Sequence, residues 1–306
     1  MRHTTHSVFM VPPTDFCFNE QTGADNEFQN RPKIDPLMLK EDAMAEFNQM
    51  VNILRDNFVE VLVLNKTQDL PELPDAVFPN NWFSTDELGQ ITLFPMKTEN
   101  RKAEVRPSEL IALANKSGYQ QKELTNISDS QQILEGTGSI IFDHKNKIAY
   151  AAISDRCEKN IFEQYAKDNG YQAISFESKS SNGKPFYHTN VMLSIGEGFA
   201  AICVDAITES DRDKVIGSLK AHHKQIIELS LEQTEKSFCA NILQLRNLRG
   251  ELLIVMSDSA YHGFSKEQKN LLKLHGKLVP CPIDTIESVG GGSARCMLAE
   301  NFLPQA

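Results

Sequence analysis

The segment Gly290-Gly291-Gly292-Ser293-Ala294-Arg295-Cys296-Met297-Leu298 joins a run of glycines to a cysteine that follows almost at once. Glycines let backbone N–H groups approach a ligand closely. A thiol near such a turn and beside Arg295 is expected to titrate below its usual value of about 8.5, as a nucleophile requires. Cys17, Cys157, Cys203, Cys239 and Cys281 lack this setting. A thiolate needs a proton shuttle, and among the histidines at 3, 6, 144, 188, 222, 223, 262 and 275, His188 is best placed. It stands in Phe186-Tyr187-His188-Thr189-Asn190-Val191-Met192-Leu193, at the polar edge of a strand-like run. Leu134-Glu135-Gly136-Thr137-Gly138-Ser139-Ile140-Ile141 adds a carboxylate between an apolar run and a glycine corner, where burial would demand a cationic or N–H partner. Taken singly, the three also read as a structural cysteine behind a turn, a satisfied core histidine and a turn carboxylate facing water.

Other chemistries fit less well. Gly136-Thr137-Gly138 lacks the third glycine of a dinucleotide loop, no helix is expected after it, and no GxxxxGK[ST] occurs, which argues against nucleotide binding. His222 and His223 are adjacent rather than at ligand spacing, and neither HExxH nor CxxC accompanies them, so no metal is expected. With 31 Lys plus Arg against 41 Asp plus Glu, the formal net charge is −10. The densest basic cluster is Lys97, Arg101, Lys102 and Arg106, too little for a nucleic-acid partner. No run of 18 apolar residues suggests a membrane span, and no apolar stretch of signal-peptide length follows Met1-Arg2-His3. Six cysteines without a CxxC pair read as reduced thiols, and a cytoplasmic location is expected.

The elements that must position these residues alternate along the chain. Strands are expected at Val8 to Val11, Val59 to Leu64, Ile91 to Phe94, Ile148 to Ile153, Phe199 to Val204, Ile226 to Leu229 and Leu252 to Met256. Helices are expected at Asp35 to Arg55, Pro107 to Lys116, Glu158 to Asp168, Glu209 to Lys220 and Lys266 to His275. Asn- or Gly-containing corners that open a strand recur at Asn80-Asn81, Gly136-Thr137-Gly138, His188-Thr189-Asn190, Ala240-Asn241 and Ser293-Ala294, roughly 50 to 56 residues apart. The clearest unit continues as a hairpin, a helix and a further strand. Five such ββαβ units would pack radially, with one strand of each at the centre and the helices outside. Ordinary α+β alternation is the competing reading. No linker divides the chain, and residues 1–306 read as a single α/β domain.

Together these pieces resemble the guanidino-group-modifying superfamily, whose five-fold ββαβ propeller, the pentein fold, holds arginine deiminases, dimethylargininases, amidinotransferases and succinylarginine dihydrolase. Leu73-Pro74-Asp75-Ala76-Val77-Phe78-Pro79-Asn80-Asn81 resembles the dimethylargininase segment LPD, VF and a Glu-Asp pair. Leu134-Glu135-Gly136 resembles the catalytic-acid segment EGGD, and Ile153-Ser154-Asp155-Arg156 its SxR strand. Gly290 to Met297 resembles the deiminase motif GGG-x-RCM, and His188 stands where these families carry their histidine. The resemblance implies Cys296 as nucleophile, His188 as general acid and base, and Glu135 as a carboxylate holding a substrate nitrogen. It implies Asp75 for the substrate amino group, and Arg156 with Arg101 for its α-carboxylate, the usual partner of a bidentate arginine.

The departures from the pattern bear on substrate. Where the resembling families place carboxylates against a guanidinium, this chain has Asn80, Asn81 and, two residues after the histidine, Asn190. A guanidinium is a cation with only donors, whereas a ureido group is neutral and carries an acceptor that an amide can serve. These Asn residues would otherwise merely turn corners. The whole-chain pattern, notably PNNWFST and GGGSARCML, resembles the citrulline-utilisation hydrolase branch. The expectation is a C–N hydrolase converting citrulline to ornithine, ammonia and carbon dioxide. An arginine or modified-arginine deiminase or dihydrolase, an amidinotransferase, and a non-catalytic pentein that binds a ribosome remain as alternatives. No cofactor is needed, the expected partner is a small amino acid, and the outer helices of such a propeller can support a homodimer.

Overall fold

The computed structural model describes residues 2–67, 69–128, 130–222 and 225–305. His223, half of the histidine pair weighed above, lies outside the described residues. The expected helices form as α1 (Pro36–Asp56), α2 (Pro107–Lys116), α3 (Lys159–Asp168), α4 (Glu209–His222) and α5 (Lys266–Lys273). Their ends follow local chemistry. Asp35 caps α1 by accepting from the Leu37 and Met38 amides, and Pro36 takes the first helical position, where its missing N–H costs nothing. Ser265 and Gln268 form a reciprocal capping box on α5.

Strands β1 (Ser7–Met10) and β2 (Glu60–Val63) pair in parallel across α1. Next come β3 (Phe83–Thr85), β4 (Gln90–Leu93) and β5 (Glu123–Asn126), then β6 (Ile141–Asp143), β7 (Ile148–Ala152) and β8 (Gln172–Phe176). The series continues with β9 (Leu193–Gly196), β10 (Phe199–Ile202) and β11 (Gln225–Glu228), then β12 (Leu243–Arg246), β13 (Leu252–Ser257) and β14 (Lys277–Cys281), and ends at β15 (Ala299–Glu300). Each sheet has three strands: an antiparallel pair, then a parallel partner reached through a helix, as in Ile141↔Tyr150 and Ile148↔Gln172. The first strands of neighbouring sheets meet, β3 with β15, β6 with β9 and β9 with β12, which puts them at the centre. Middle strands packed on both faces are apolar throughout: every residue of β7, Ile-Ala-Tyr-Ala-Ala, is buried. This is the pentein propeller.

One unit is assembled from both ends of the chain. β15 pairs with β1 in the register Val8↔Glu300, so the C-terminal strand supplies the first strand of a sheet whose other two are N-terminal. Val8, Phe9 and Met10 are fully buried there, each contributing roughly 1.5–3 kcal/mol. Several strands fall outside the expected set, among them β5 and β8, whose mixed sequences Glu-Leu-Thr-Asn and Gln-Ala-Ile-Ser-Phe carry little apolar alternation. Each is an outer strand whose pairing, rather than its composition, places it. All six cysteines are free thiols. Among the described residues no helix is long and apolar enough to cross a membrane, and no group of side chains could hold a metal ion.

Candidate active site

All five corners lie immediately before the first strand of a sheet, so they converge at one end of the central axis. Asn80 and Asn81 sit in the short helical turn Pro79–Asn81, Glu135 precedes the turn Gly136–Ser139, and His188 precedes Thr189–Val191. As expected, no helix follows Gly136-Thr137-Gly138: the single helical turn Gly136–Ser139 contains the glycines, strand β6 comes next, and a four-residue turn is too short to hold a phosphate. Its glycines answer to crowding. Gly136 has φ +44°, and a Cβ there would meet the Asn80 carbonyl at 2.6 Å; at Gly138 it would meet Asn81 Nδ2 at 2.2 Å and His188 at 2.9 Å.

His188 Nε2 lies 2.8 Å from Glu135 Oε2, and Glu135 Oε1 accepts from the Lys97 amide at 3.0 Å. Both side chains are almost completely buried. Burial alone would push the Glu135 carboxyl up, but Arg156, with Nη1 at 3.8 Å, the His188 hydrogen bond and Arg101 outweigh it and hold the group at about 2. Burial moves His188 below its ordinary value, which Glu135 offsets only in part, so the imidazole is neutral at pH 7. Asn190 and Asn241 each donate an amide N–H to Cys296 Sγ at 3.3 Å, and the Cys296 backbone N–H donates to Asn241 Oδ1 at 3.3 Å. Contrary to expectation, the Cys296 thiol is raised, not lowered. Burial dominates, and Arg295 turns away to donate to the Leu298 carbonyl and to Glu300 at 3.0 Å.

Further along the cavity, Asp75 Oδ2 accepts from Asn19 at 2.7 Å and Thr22 at 2.8 Å, while its Oδ1 is buried without a partner among the described residues. Arg101 donates to both Glu104 oxygens at 2.9 and 3.0 Å, to the Phe78 carbonyl at 2.9 Å and to Asn81 Oδ1 at 2.7 Å. Its guanidinium is thus engaged by the protein, and it orients Asn81. Arg156 lies over the Tyr187 ring at 4.9 Å and donates Nε and Nη2 to the two oxygens of Asp25. Asp25 belongs to the segment 11–35, which contains neither helix nor strand and roofs the site. That roof is tied down by Asn26 and Gln29, which donate to the Gly290 and Gly291 carbonyls, and by Phe28, packed 5.7 to 6.0 Å from the rings of Phe186, Tyr187 and Phe238.

Asp75, Asn81, Arg101, Arg156, His188 and Cys296 line one narrow cavity of only about 10 Å³, room for about one water molecule. Glu135, Asn80 and Asn190 stand behind its wall, in contact with His188, the Thr137 hydroxyl and Cys296 respectively. A larger cavity between the second and third sheets, bordered by Phe142, His144 and Tyr171, contains none of these residues. Sequence reasoning passed over Asn241, although it flanks one of the five corners, and the whole roof, whose Asn, Asp and Gln residues carry no periodic signal.

The family model for eukaryotic N,N-dimethylarginine dimethylhydrolases matches residues 12–303. The chain belongs to that family, within the guanidino-group-modifying superfamily, and is a hydrolase of non-peptide C–N bonds. Similar solved structures share the fold. ArgZ, an arginine dihydrolase from the ornithine-ammonia cycle in cyanobacteria, aligns with TM-score 0.75 and 17% identity over 98% of this chain, which spans 41% of the ArgZ chain. Its N-terminal domain alone aligns with TM-score 0.72 and 19% identity over 97% of this chain and 99% of the domain. The dimethylarginine dimethylhydrolase of Pseudomonas aeruginosa, crystallised with citrulline, aligns with TM-score 0.66 and 12% identity over 97% and 99% of the two chains. No curated protein sequence matches.

Proposed function

We propose that this chain hydrolyses the ureido group of a citrulline-like amino acid through Cys296, giving ornithine, ammonia and carbon dioxide. The observation that carries this reading is the set of amides around the nucleophile. Asn190 and Asn241 face the sulfur and Asn81 lines the same cavity, with Asn80 behind its wall; among the described residues Asn81 Nδ2, Asn190 Oδ1 and both amide atoms of Asn80 are buried without partners. Amides can both donate to a ureido carbonyl and accept from its N–H groups, and a neutral group needs no carboxylate to compensate burial.

In this reading His188 takes the Cys296 proton, and the Asn190 and Asn241 N–H groups stabilise the thiolate. The sulfur attacks the ureido carbon. His188 returns the proton to the ornithine nitrogen as the C–N bond breaks, leaving an S-carbamoyl cysteine. Water, deprotonated by His188, then adds to that carbon, the thiolate leaves, and the carbamic acid splits into ammonia and carbon dioxide. One water is consumed per citrulline. Glu135 keeps the imidazole oriented through Nε2, Asp75 Oδ1 receives the substrate ammonium, and Arg156 receives its carboxylate, with Arg101 acting through Asn81. These side chains supply every step without a cofactor. A cytoplasmic location suits six free thiols.

A second reading is an arginine dihydrolase, favoured by the free acceptors Asn80 Oδ1 and Asn190 Oδ1, which suit guanidinium N–H groups. The same thiolate would release ammonia first and process the resulting ureido group second, using two waters. The deciding experiment incubates the purified protein with citrulline, arginine, N,N-dimethylarginine and agmatine, scoring ornithine, citrulline, dimethylamine and ammonia separately. Ornithine from citrulline is expected, and Cys296→Ala abolishes it. Citrulline accumulating from arginine or dimethylarginine, with citrulline itself untouched, would overturn the ureido reading.

A further inference from the structure

Arg156 has no open edge. Its Nε and Nη2 meet the two oxygens of Asp25 side-on, Nη2 also donates to the Thr22 carbonyl at 3.1 Å, and Nη1 faces Glu135. Side-on bidentate pairing is the geometry in which arginine receives a free carboxylate. The Asp25 carboxylate also takes the Lys97 ammonium at 2.7 Å, and these two cations hold it below its usual titration range although burial opposes them. The roof residues Thr22, Asn26 and Gln29, which reach Asp75, Gly290 and Gly291, are on the same stretch of chain as Asp25.

We infer that Asp25 is a built-in occupant of the carboxylate receptor, and that a substrate α-carboxylate binds Arg156 only by exchanging with it. This rests on the proposal that the substrate is an arginine-like amino acid. Because Asp25 is carried by the roof, the exchange couples recognition of the carboxylate to movement of the segment 11–35. A ligand that reaches Cys296 but lacks the carboxylate gains nothing from the exchange. Asp25 is therefore a specificity-determining residue: it lowers the apparent affinity for amino-acid ligands by the fraction of molecules in which it fills the receptor, and it leaves decarboxylated ligands unaffected.

The test is calorimetric binding to the full chain in the Cys296→Ala background, where no turnover intervenes, with and without Asp25→Asn. The ligands are citrulline and arginine, against carbamoylputrescine and agmatine, which carry the same reacting groups without the carboxylate. The expected result is tighter binding of citrulline or arginine by about tenfold on Asp25→Asn, the gain if the occupant fills the receptor in nine molecules of ten, with the amines unchanged. Equal weakening of all four would make Asp25 a strut for the roof and overturn the inference. Selective weakening of the amines would show that Asp25 does not compete with a carboxylate and likewise overturn it. Unchanged binding of all four rejects the exchange while leaving the substrate reading intact. Failure of every ligand to bind either variant overturns both. Unchanged melting temperature and circular dichroism establish that the variants are folded, and Asp25→Ala, which removes the side chain's hydrogen bonds as well, must move the ligands in the same direction as Asp25→Asn.

Discussion

The two ends of the cavity are built on opposite plans. At the end the proposal makes reactive, around Cys296 and His188, polar atoms are left open: among the described residues both amide atoms of Asn80, Asn81 Nδ2 and Asn190 Oδ1 have no partner. At the far end every cation is already matched, Arg101 by Glu104, Arg156 and Lys97 by Asp25, and only a carboxylate oxygen, Asp75 Oδ1, is left open. Buried polar atoms without partners destabilise a fold by about 1–3 kcal/mol each. They persist where a ligand supplies the partner. Saturated ion pairs contribute to holding the roof, and a ligand gains from them only the difference between its own contact and the one it displaces. In the proposed reading, chemistry is decided at the open end and selection among ligands at the closed end.

The comparison can be broken most severely at the proposed nucleophile. Cys296→Ala should reduce turnover by about 10³-fold or more and abolish the covalent adduct seen by intact-mass spectrometry. Adduct formation on another cysteine would displace the reactive end altogether. Glu135→Gln keeps the shape but removes the charge that orients His188, and should reduce kcat by about 10²- to 10⁴-fold with little change in KM. If KM alone rises, Glu135 belongs with the anchoring residues. Asn81→Asp restores a carboxylate to the open end, and the ratio of kcat/KM for arginine over citrulline should rise by about 10- to 100-fold. An unchanged ratio would show that the amides do not discriminate charge.

At the closed end, Phe28→Ala should loosen the roof, raising KM by roughly three- to tenfold while kcat falls less, with faster hydrogen exchange over residues 17–34. A last effect concerns stability rather than turnover. Glu135 is held at about 2 in the folded chain, below its ordinary value of 4.5. Its contribution is therefore fully present above pH 4.5 and is lost as the pH falls through about 2. That loss is on the order of 3 kcal/mol. Denaturant titrations over this window should show a steeper decline for the natural chain than for Glu135→Gln.

Much of the fold was legible because its units repeat. The five corners recur at near-constant spacing, and each marks a strand opening. β5 and β14 were not legible, and β8 only as a further strand without bounds, since outer strands of Glu-Leu-Thr-Asn type owe their conformation to a parallel neighbour rather than to propensity. The closure of β15 on β1 joins residues nearly 300 positions apart, a pairing that no local pattern encodes. Within the site, Cys296, His188 and Glu135 could be picked out by residue type and neighbouring glycines. Asn241 could have been found as the counterpart of Asn190 at the next corner. Asp25 could not, for an aspartate in an aperiodic loop looks solvated until the loop is folded over Arg156.

By itself the sequence determined the residue types at the corners, the five-fold spacing that brings them to one axis and the absence of carboxylates at Asn80, Asn81 and Asn190. These are properties of composition and order along the chain. Tertiary structure alone decided which groups are matched and which are left open. It raised the Cys296 thiol where the neighbouring Arg295 suggested the reverse, because burial outweighs a cation that turns toward Glu300. It also took up both arginines expected to await a substrate, because charge pairing depends on which side chains meet at 3 Å, and that is settled only when distant segments pack together.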